Sequence, residues 1–325
     1  MSNSTLIEKK LIGRPYWQAP ILTARINVKN NIAHSLAAVK AIESACNIQV
    51  STQTKKLRQL LLIAEFIKNH TKKLYHEILP DFLDLETVSE IAKLHPEIYH
   101  NAINLIDFSN QILTLIGGRT LYSIANVTGG FKSYPTKSEF KQLAVQTDNL
   151  IVTARQTLNL CVSLKLQSEK LNGDFAALHA NNDYAYYDGE IWTDAGKLFT
   201  QDDFQKFAQS NLDKTVFGPI ARYNLSQSHF DTTTKNLIDE LKIKKQFQSI
   251  SDNIIATAIE LNFFVGSSIK IIDGFSNLGP VREHIIPPRS FSIGTAAIES
   301  AGGTIIHHCE LDKDGIITKY EIFIP

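Results

Sequence analysis

The sequence predicts a mainly α-helical protein with small β elements, one inserted in the middle of the chain and one appended at its C-terminal end. Along most of the 325-residue chain, apolar side chains recur at intervals of three and four, which is the spacing of one helix face. Two stretches, 172–200 and 290–325, instead show turn residues and short alternating runs. We therefore predict a single domain over residues 1–325, with a strand or loop excursion at 172–200 and a C-terminal β-hairpin at 290–325.

The helices are predicted from where the apolar spacing begins and where it is interrupted. Residues 1–29 are predicted to be irregular because Pro15 and Pro20 break a helix. Pro80 ends the second predicted helix, and Gly117-Gly118 ends the third. The predicted helices cover residues 32–46, 54–79, 96–116, 136–171, 201–209, 230–244 and 248–273.

The last predicted helix, 248–273, is apolar on all sides, and we expect it to lie in the centre of the core. Polar residues interrupt it too often for a membrane span. In the C-terminal stretch, two predicted strands flank a turn at Asp312–Gly315.

The composition excludes several classes of function. Lys+Arg and Asp+Glu each number 33, so no net charge attracts nucleic acid or an anionic membrane. The start of the chain, "MSNSTLIEKK", lacks the apolar core of a signal peptide, which predicts a cytoplasmic protein without membrane insertion. Cys46, Cys161 and Cys309 are isolated, and they are predicted to be reduced core residues rather than metal ligands.

A polar stretch, "NVKNN" at residues 27–31, leads into the helix whose apolar residues begin at Ile32. Asn30 is predicted to cap that helix. The alternative is an anion pocket, in which Lys29, His34 and the amides of the helix start bind phosphate or carboxylate.

The histidines of the chain are interpreted as structural. His34 and His70 each fall in an apolar helical stripe, which is typical of hydrogen-bonded core histidines. His307, His308 and Cys309 are consecutive in a predicted strand, so their side chains alternate between its two faces and do not converge on a metal.

Six segments of the chain carry recognisable motifs. They are "IGRPYWQAPILTARI", "AHSLAAVKAIESA", "NHTKKLYHEILPDFLDL", "IGGRTLYSIANVTGGFKSYPTKSEF", "VFGPIARYNL" and "IESAGGTIIHHCELDKDGIITKYEIFIP". In this order and at similar intervals, they resemble motifs of the large subunit of nickel–iron hydrogenases, most closely the cytosolic, cofactor-coupled groups. The resemblance implies the helical bundle of that subunit, a nickel–iron centre as the family's cofactor, and a face that packs against a small iron–sulfur subunit.

The chain departs from the family at the positions that hold the metal. In the first family motif, R-x-C-G-x-C-P-x-x-H, Asn27 and Asn30 stand where cysteines supply two of the four thiolates. The other two thiolates belong to a D-P-C-x-x-C-x-x-H segment beyond Pro325, and an R-x-E-G segment with an acidic proton relay would precede residue 1. Gly302 stands at the arginine of E-A-P-R-G, and Lys73 at the second histidine of S-H-x-L-H. Because an amide is a poor substitute for a soft, anionic thiolate, we expect no nickel–iron centre and no other cofactor.

The resemblance and the departures together predict a catalytically inactive hydrogenase large-subunit homologue that acts as a scaffold or interaction subunit and not as an enzyme. The expected partner is an iron–sulfur protein resembling the small subunit, or a second copy of the chain. The interface candidates are Tyr16, Trp17 and Ile21, unless these residues fold back onto the first helix.

Two alternatives stay open. One is a divergent nickel–iron hydrogenase or redox subunit whose metal ligands are supplied from elsewhere. The other is an anion-binding module that uses the vacated metal pocket. The candidate residues of that pocket are Arg25, Lys29, His34, His70, Glu299 and Gly302.

Overall fold

The computed structural model describes residues 3–85, 87–167, 169–210, 212, 214–281 and 292–325, and in these residues the fold is mainly helical with some sheet, as predicted. The helices are α1 (Asn3–Leu11), α2 (Ala19–Thr23), α3 (Asn31–Ala45), α4 (Thr52–Lys72), α5 (Leu79–Phe82), α6 (Val88–Leu94), α7 (Pro96–Gly117), α8 (Lys137–Ala144), α9 (Asp148–Ser163), α10 (Phe204–Gln209), α11 (Pro219–Ser226), α12 (Thr232–Glu240) and α13 (Asp252–Leu278). The strands are β1 (Asn126–Val127), β2 (Gly130–Phe131), β3 (Asp174–His179), β4 (Glu190–Thr193), β5 (Leu198–Phe199), β6 (Thr215–Val216), β7 (Ser292–Ser300), β8 (Gly303–Leu311) and β9 (Ile317–Phe323).

The centre of the bundle is formed by α4 and α13. α4 packs against α7 and α13, and α13 also packs against α8 and α9. The predicted apolar stripe of α4 is buried, and it consists of Leu57, Leu60, Leu61, Ala64, Ile67 and, after the end of α4, Leu74. The predicted central position of the last helix is confirmed, since Ile259, Leu261 and Phe264 of α13 have no exposed surface. By length and composition alone α13 is long and apolar enough to cross a membrane, a test that a buried core helix also passes.

The prediction that residues 1–29 are irregular is wrong for the described part, which begins at residue 3. This segment forms α1, a 3-10 turn at Tyr16–Gln18, and α2. Pro20 lies in the first turn of α2, where the N–H that proline lacks has no partner within the helix. Proline therefore starts a helix here rather than preventing one.

Several helix boundaries differ from the prediction. The predicted helix 136–171 is two helices, α8 and α9. The helix is interrupted at residues 145–147, although the apolar spacing in the sequence continues across the interruption. The predicted helix 54–79 is α-helical to Lys72 and then widens into a π-helical turn, Lys73–Ile78, before α5. The short helices α6 and α11 were not predicted, because their few residues show too little periodicity.

In the described residues three sheets accompany the helices, namely the short β1-β2 pair and two larger sheets. The inserted sheet has the strand order β5-β4-β3-β6, which confirms strands within 172–200. The C-terminal sheet has three antiparallel strands in the order β7-β8-β9, so the predicted two-stranded hairpin is extended by β7. The turn at Asp312–Gly315 is confirmed, and Gly315 adopts the left-handed φ of +75° that favours glycine. Residues 290 and 291 lie outside the described residues.

The C-terminal sheet is tied to α3 by a close approach of the two backbones. α3 lies against both β7 and β8. At Gly294 of β7, a Cβ atom would lie 2.1 Å from the carbonyl oxygen of Ala41 and 2.3 Å from the amide nitrogen of Ala45. Only glycine permits this contact, which holds the sheet against α3.

Candidate functional site

The turn between α2 and α3 is stabilised by hydrogen bonds within the chain. Asn27 Oδ1 accepts a hydrogen bond of 2.8 Å from the backbone N–H of Lys29, the arrangement by which asparagine stabilises a turn. Asn30 occupies the N-cap position of α3, but its side chain makes no capping hydrogen bond. The predicted capping role of the Asn30 side chain is therefore wrong.

The start of α3 is capped by a buried carboxyl group from α4. Glu65 accepts hydrogen bonds from the backbone N–H groups of Ile32, at 2.7 Å, and Ala33, at 2.9 Å. Burial raises the pKa of Glu65 to about 8, although the two backbone N–H groups act to lower it. Because Glu65 already binds these amides, they are not available to an external anion, and that part of the predicted anion pocket is wrong.

A cavity of about 500 Å³ lies beside this turn. Its walls come from the turn, from α4 with the π-helical turn that follows it, and from residues 301–302 between β7 and β8. Among the predicted site positions, the lining residues are Asn27, Lys29, Asn30, His70 and Gly302. Arg25, His34 and Glu299 do not line it. The polar lining residues beyond the predicted site are Asn31, Glu65, Lys68, Asn69, Lys72, Lys73, Glu77 and Thr120.

The chain has homologues among nickel-dependent hydrogenases. The family model described as nickel-dependent hydrogenase matches residues 6–111. Sulfhydrogenase 2 subunit alpha from Pyrococcus furiosus is 27% identical over 314 residues, covering 94% of this chain and 75% of the relative. The chain is a homologue of nickel–iron hydrogenase large subunits.

Solved hydrogenase structures share the fold of this homologue. An NAD+-reducing nickel–iron hydrogenase in the H2-reduced state matches with a TM-score of 0.83 at 18% identity, covering 97% of this chain and 79% of the other. The reduced Ni-Fe-Se hydrogenase from Desulfomicrobium baculatum matches with a TM-score of 0.75 at 16% identity, covering 98% and 81%.

The cavity of this hydrogenase homologue has a basic wall. Lys68, Lys72 and Lys73 line it from α4 and the π-helical turn, and Lys29 lines it from the turn before α3. The Lys29 Nζ lies 2.8 Å from Glu77 Oε1. Burial, the largest cause, lowers the pKa of Lys73 and that of Lys68, and the charge of Lys72 lowers the pKa of Lys68 further.

Behind the cavity, the hydrogenase homologue contains a buried network of charged side chains. His70 Nε2 lies 2.8 Å from Glu260 Oε2. Arg222 donates to Glu260 through Nε at 2.6 Å and Nη2 at 2.8 Å, and to Glu299 Oε2 through Nη1 at 2.7 Å. The Tyr184 hydroxyl donates to Glu260 Oε1 at 2.5 Å. Burial raises the pKa of Glu260, but the Arg222 guanidinium outweighs it and holds that pKa at about 2. His70 and Glu299, both predicted pocket residues, are thus members of this network.

Sequence reasoning assigned no role to Arg222 or Glu260. Two signals could have found them. Arg222 lies inside the quoted segment "VFGPIARYNL", and Glu260 is the acidic residue of the apolar stretch 254–272. A buried charge requires a partner, so a lone acidic residue in a core helix predicts a nearby base.

His34 points away from the cavity, toward the C-terminal sheet. Its Nδ1 lies 3.1 Å from His307 Nε2, and His307 Nδ1 lies 2.9 Å from the Tyr320 hydroxyl. Burial lowers the pKa of His34 to about 4. On β8 the next residue, His308, contacts Thr295 Oγ1 at 2.8 Å instead, so the two neighbours diverge as the strand alternation predicts. Among the described residues, no three or more His, Cys, Asp and Glu side chains group together in a way that could hold a metal.

The interface candidates differ in exposure. Trp17 is 55% exposed, whereas Tyr16 and Ile21 are half-buried. Tyr16 packs against the apolar cluster formed by α1, α3 and the C-terminal sheet. This residue therefore folds back onto the first predicted helix, which was the alternative to an interface role. Arg25 is exposed, and its Nη1 donates to the carbonyl oxygen of Ile21 at 2.5 Å.

Proposed function

We propose that this hydrogenase large-subunit homologue is a non-catalytic interaction subunit that carries no nickel–iron centre. The observation that supports the proposal is the chemical type of the side chains that line the cavity. The positions of the family's cysteines, Asn27 and Asn30, line the cavity with neutral amides.

The residues present do not fit a nickel–iron centre. Nickel of this kind is held by soft, anionic thiolates, and an amide oxygen offers neither the softness nor the charge. Lys68, Lys72 and Lys73 also line the cavity, and their ammonium groups repel a metal cation. The free cysteines, Cys46, Cys161 and Cys309, do not line it. The chain's own residues therefore do not support hydrogen activation at this place.

The test is elemental analysis of the full chain together with an assay of hydrogen oxidation. An active nickel–iron hydrogenase, expressed in the same host with the same maturation proteins, serves as the control for metal supply. We expect no stoichiometric nickel or iron and no hydrogen oxidation by this chain, whereas the control acquires both. Near-unit nickel in the purified protein would overturn the proposal.

A double variant, Asn27→Cys with Asn30→Cys, extends this test. We expect it to remain without hydrogen oxidation, because the lysines on the cavity wall and the glycine at position 302 are unchanged. Measurable hydrogen oxidation by the variant would show that the two asparagines alone account for the loss.

The proposed partner is an iron–sulfur protein that resembles a hydrogenase small subunit. The relative from Pyrococcus furiosus is named as a subunit alpha. In this chain, the segment 12–28 exposes Ile12, Trp17 and Val28, three large apolar side chains close in sequence. Exposed apolar side chains of this kind are typical of protein interfaces when they form a patch, and Trp is among the residues that contribute most binding energy.

Co-expression with an iron–sulfur small-subunit homologue from the same organism tests the partner. The complex would be detected by its iron–sulfur absorption and by its mass in sedimentation. We expect Trp17→Ala to weaken the complex about tenfold or more, since a buried Trp typically contributes at least 2 kcal/mol at an interface. Val145→Ala, which truncates a side chain that is 80% exposed on another part of the surface, is the matched control and is expected to have no effect. A stable monomer that binds no such protein would exclude the proposal.

A further inference from the structure

We propose that the cavity binds a small phosphate-type anion, either free phosphate or the phosphate group of a small molecule. The proposal rests on the proposed function in one respect, namely that no metal centre fills the cavity. Its volume of about 500 Å³ falls within the range of small-molecule sites, which is roughly 300–1,000 Å³.

The first argument is the placement of the lysines. Lys68 and Lys72 are four residues apart in α4, so their side chains lie on the same face of the helix. Lys73 begins the π-helical turn, Lys73–Ile78, and also lines the cavity. π-Helical turns are rare and occur frequently at functional sites. The side chains of all three lysines therefore border one cavity.

The second argument is that the positive charge on the wall is incompletely balanced. Glu77 pairs with Lys29, and burial raises the pKa of Glu65 to about 8, so this side chain contributes little negative charge at neutral pH. Lys68 reaches a neutral acceptor, the carbonyl oxygen of Thr120, at 3.5 Å. In the part of the chain that the structure describes, Lys72 and Lys73 form no ion pair within 4.0 Å, and the Glu77 carboxylate, already paired with Lys29, is shared electrostatically with Lys73. Like charges around a partly enclosed space repel one another, and an anion between them would remove that repulsion.

The third argument is the supply of neutral donors from the turn before α3. The carbonyl oxygen of the Asn27 side chain is used by the Lys29 N–H, which leaves the amide NH2 group as the part available to a ligand. The Asn30 side chain makes no capping hydrogen bond. Both residues line the cavity.

The number and type of donors favour phosphate over a simple carboxylate. Two lysines that form no ion pair within 4.0 Å match a doubly charged anion, and lysine binds phosphate as a point charge without a preferred plane. A tetrahedral group offers oxygens to the lysine wall and to the asparagine turn at the same time, whereas a planar monocarboxylate leaves one ammonium group unbalanced.

Isothermal titration of the full chain at low ionic strength tests this proposal. The probes are inorganic phosphate and AMP, with acetate and chloride as comparison anions. We expect saturable binding of phosphate or AMP and at least about tenfold weaker binding of acetate, because charge-assisted hydrogen bonds are lost. Tighter binding of AMP would identify the phosphate of a larger molecule as the ligand, and equal or tighter binding of inorganic phosphate would identify the free anion. Equal, weak responses to all four probes would overturn the proposal.

Variants of the lysines locate the binding. Lys72→Gln with Lys73→Gln is expected to weaken phosphate binding by about tenfold or more, whereas Lys72→Arg, which keeps the charge, retains it. Lys313→Gln, in the exposed turn between β8 and β9, removes a charge that does not line the cavity and is expected to leave the affinity unchanged. An equal loss in the Lys313 variant would show that binding reflects overall charge and would contradict the proposal.

Failure of the anion site can be told apart from failure of the proposed function. Stoichiometric nickel would refute the proposed function, and with it the premise that no metal centre fills the cavity. A metal-free protein that does not bind phosphate or AMP would refute the anion site alone.

Discussion

The start of α3 depends on a single buried side chain. Glu65 accepts hydrogen bonds from the amides of Ile32 and Ala33 and from the side-chain amide of Asn31, which lies 3.0 Å from Glu65 Oε1. Asn31 Oδ1 in turn accepts from the backbone N–H of Tyr122 at 2.9 Å. Glu65 thus connects α4, the first turn of α3 and the segment after α7.

Substituting Glu65 by alanine tests this connection. Glu65→Ala leaves two buried amides without an acceptor, and we expect a loss of about 2–3 kcal/mol in the free energy of unfolding. Glu65→Gln keeps one of the two acceptor oxygens but turns an NH2 group toward the other backbone N–H, so we expect a smaller loss than in the alanine variant, about 1–2 kcal/mol. Urea unfolding monitored by circular dichroism measures both values, and equal losses in the two variants would contradict the capping role.

At the scale of elements, the contact between α3 and β7 holds the C-terminal sheet in place. The sheet in turn carries Ala301 and Gly302 to the cavity wall. The contact depends on Gly294, whose missing Cβ leaves room for the helix backbone.

Gly294→Ala is therefore expected to destabilise the protein. The added methyl group would overlap two backbone atoms of α3, Ala41 O and Ala45 N, which cannot move independently of the helix. We expect a loss of about 2–3 kcal/mol in unfolding free energy, as in overpacked cores. Gly266→Ala in α13 is the matched control, because its Cβ would meet no atom within 4 Å and alanine favours the helix by up to about 1 kcal/mol. A neutral Gly294→Ala variant would mean that α3 and β7 lie further apart in solution.

At the scale of the whole molecule, buried histidines couple stability to pH. Burial lowers the pKa of His34, His70 and His307 below the ordinary value of 6.5. In the unfolded chain these rings gain a proton near pH 6.5, whereas folded His34 stays neutral down to about pH 4. The contribution of neutral, buried His34 to the free energy of unfolding is therefore fully present above pH 6.5 and is lost as the pH falls toward 4.

The His34→Leu variant isolates one of these contributions. Between pH 6.5 and 4, His34 accounts for a loss of roughly 3 kcal/mol in the free energy of unfolding of the wild-type chain. The raised pKa of Glu65 acts in the opposite sense, since its contribution is present at low pH and is lost as the pH rises from 4.5 to 8. The quantity to compare is thus the slope of the free energy of unfolding against pH, measured in the variant and in the wild type. We expect a flatter loss of unfolding free energy on acidification in His34→Leu than in the wild-type chain. Identical slopes for wild type and His34→Leu would contradict a neutral, buried His34.

The sequence by itself determined the helical class of the fold, the central helix 248–273 and the turn at Asp312–Gly315, and it singled out the motif positions of Asn27 and Asn30. These features depend on side-chain spacing, turn residues or motif order, all of which can be seen along the chain. The wrong prediction for the N-terminal segment also has a local cause. Pro20 lies in the first turn of α2, where proline favours the start of a helix instead of breaking it.

Only the tertiary structure decided which side chains face the cavity and which face away from it. Glu65 caps a helix that begins 34 residues earlier in the chain, and Arg222 joins Glu260 to Glu299 across three separate elements. The basic wall of the cavity likewise combines lysines of α4 and the π-helical turn with a turn far from them in sequence. Such contacts depend on how the helices pack, and one-dimensional periodicity indicates which face of a helix is buried but not which residue of another helix it meets.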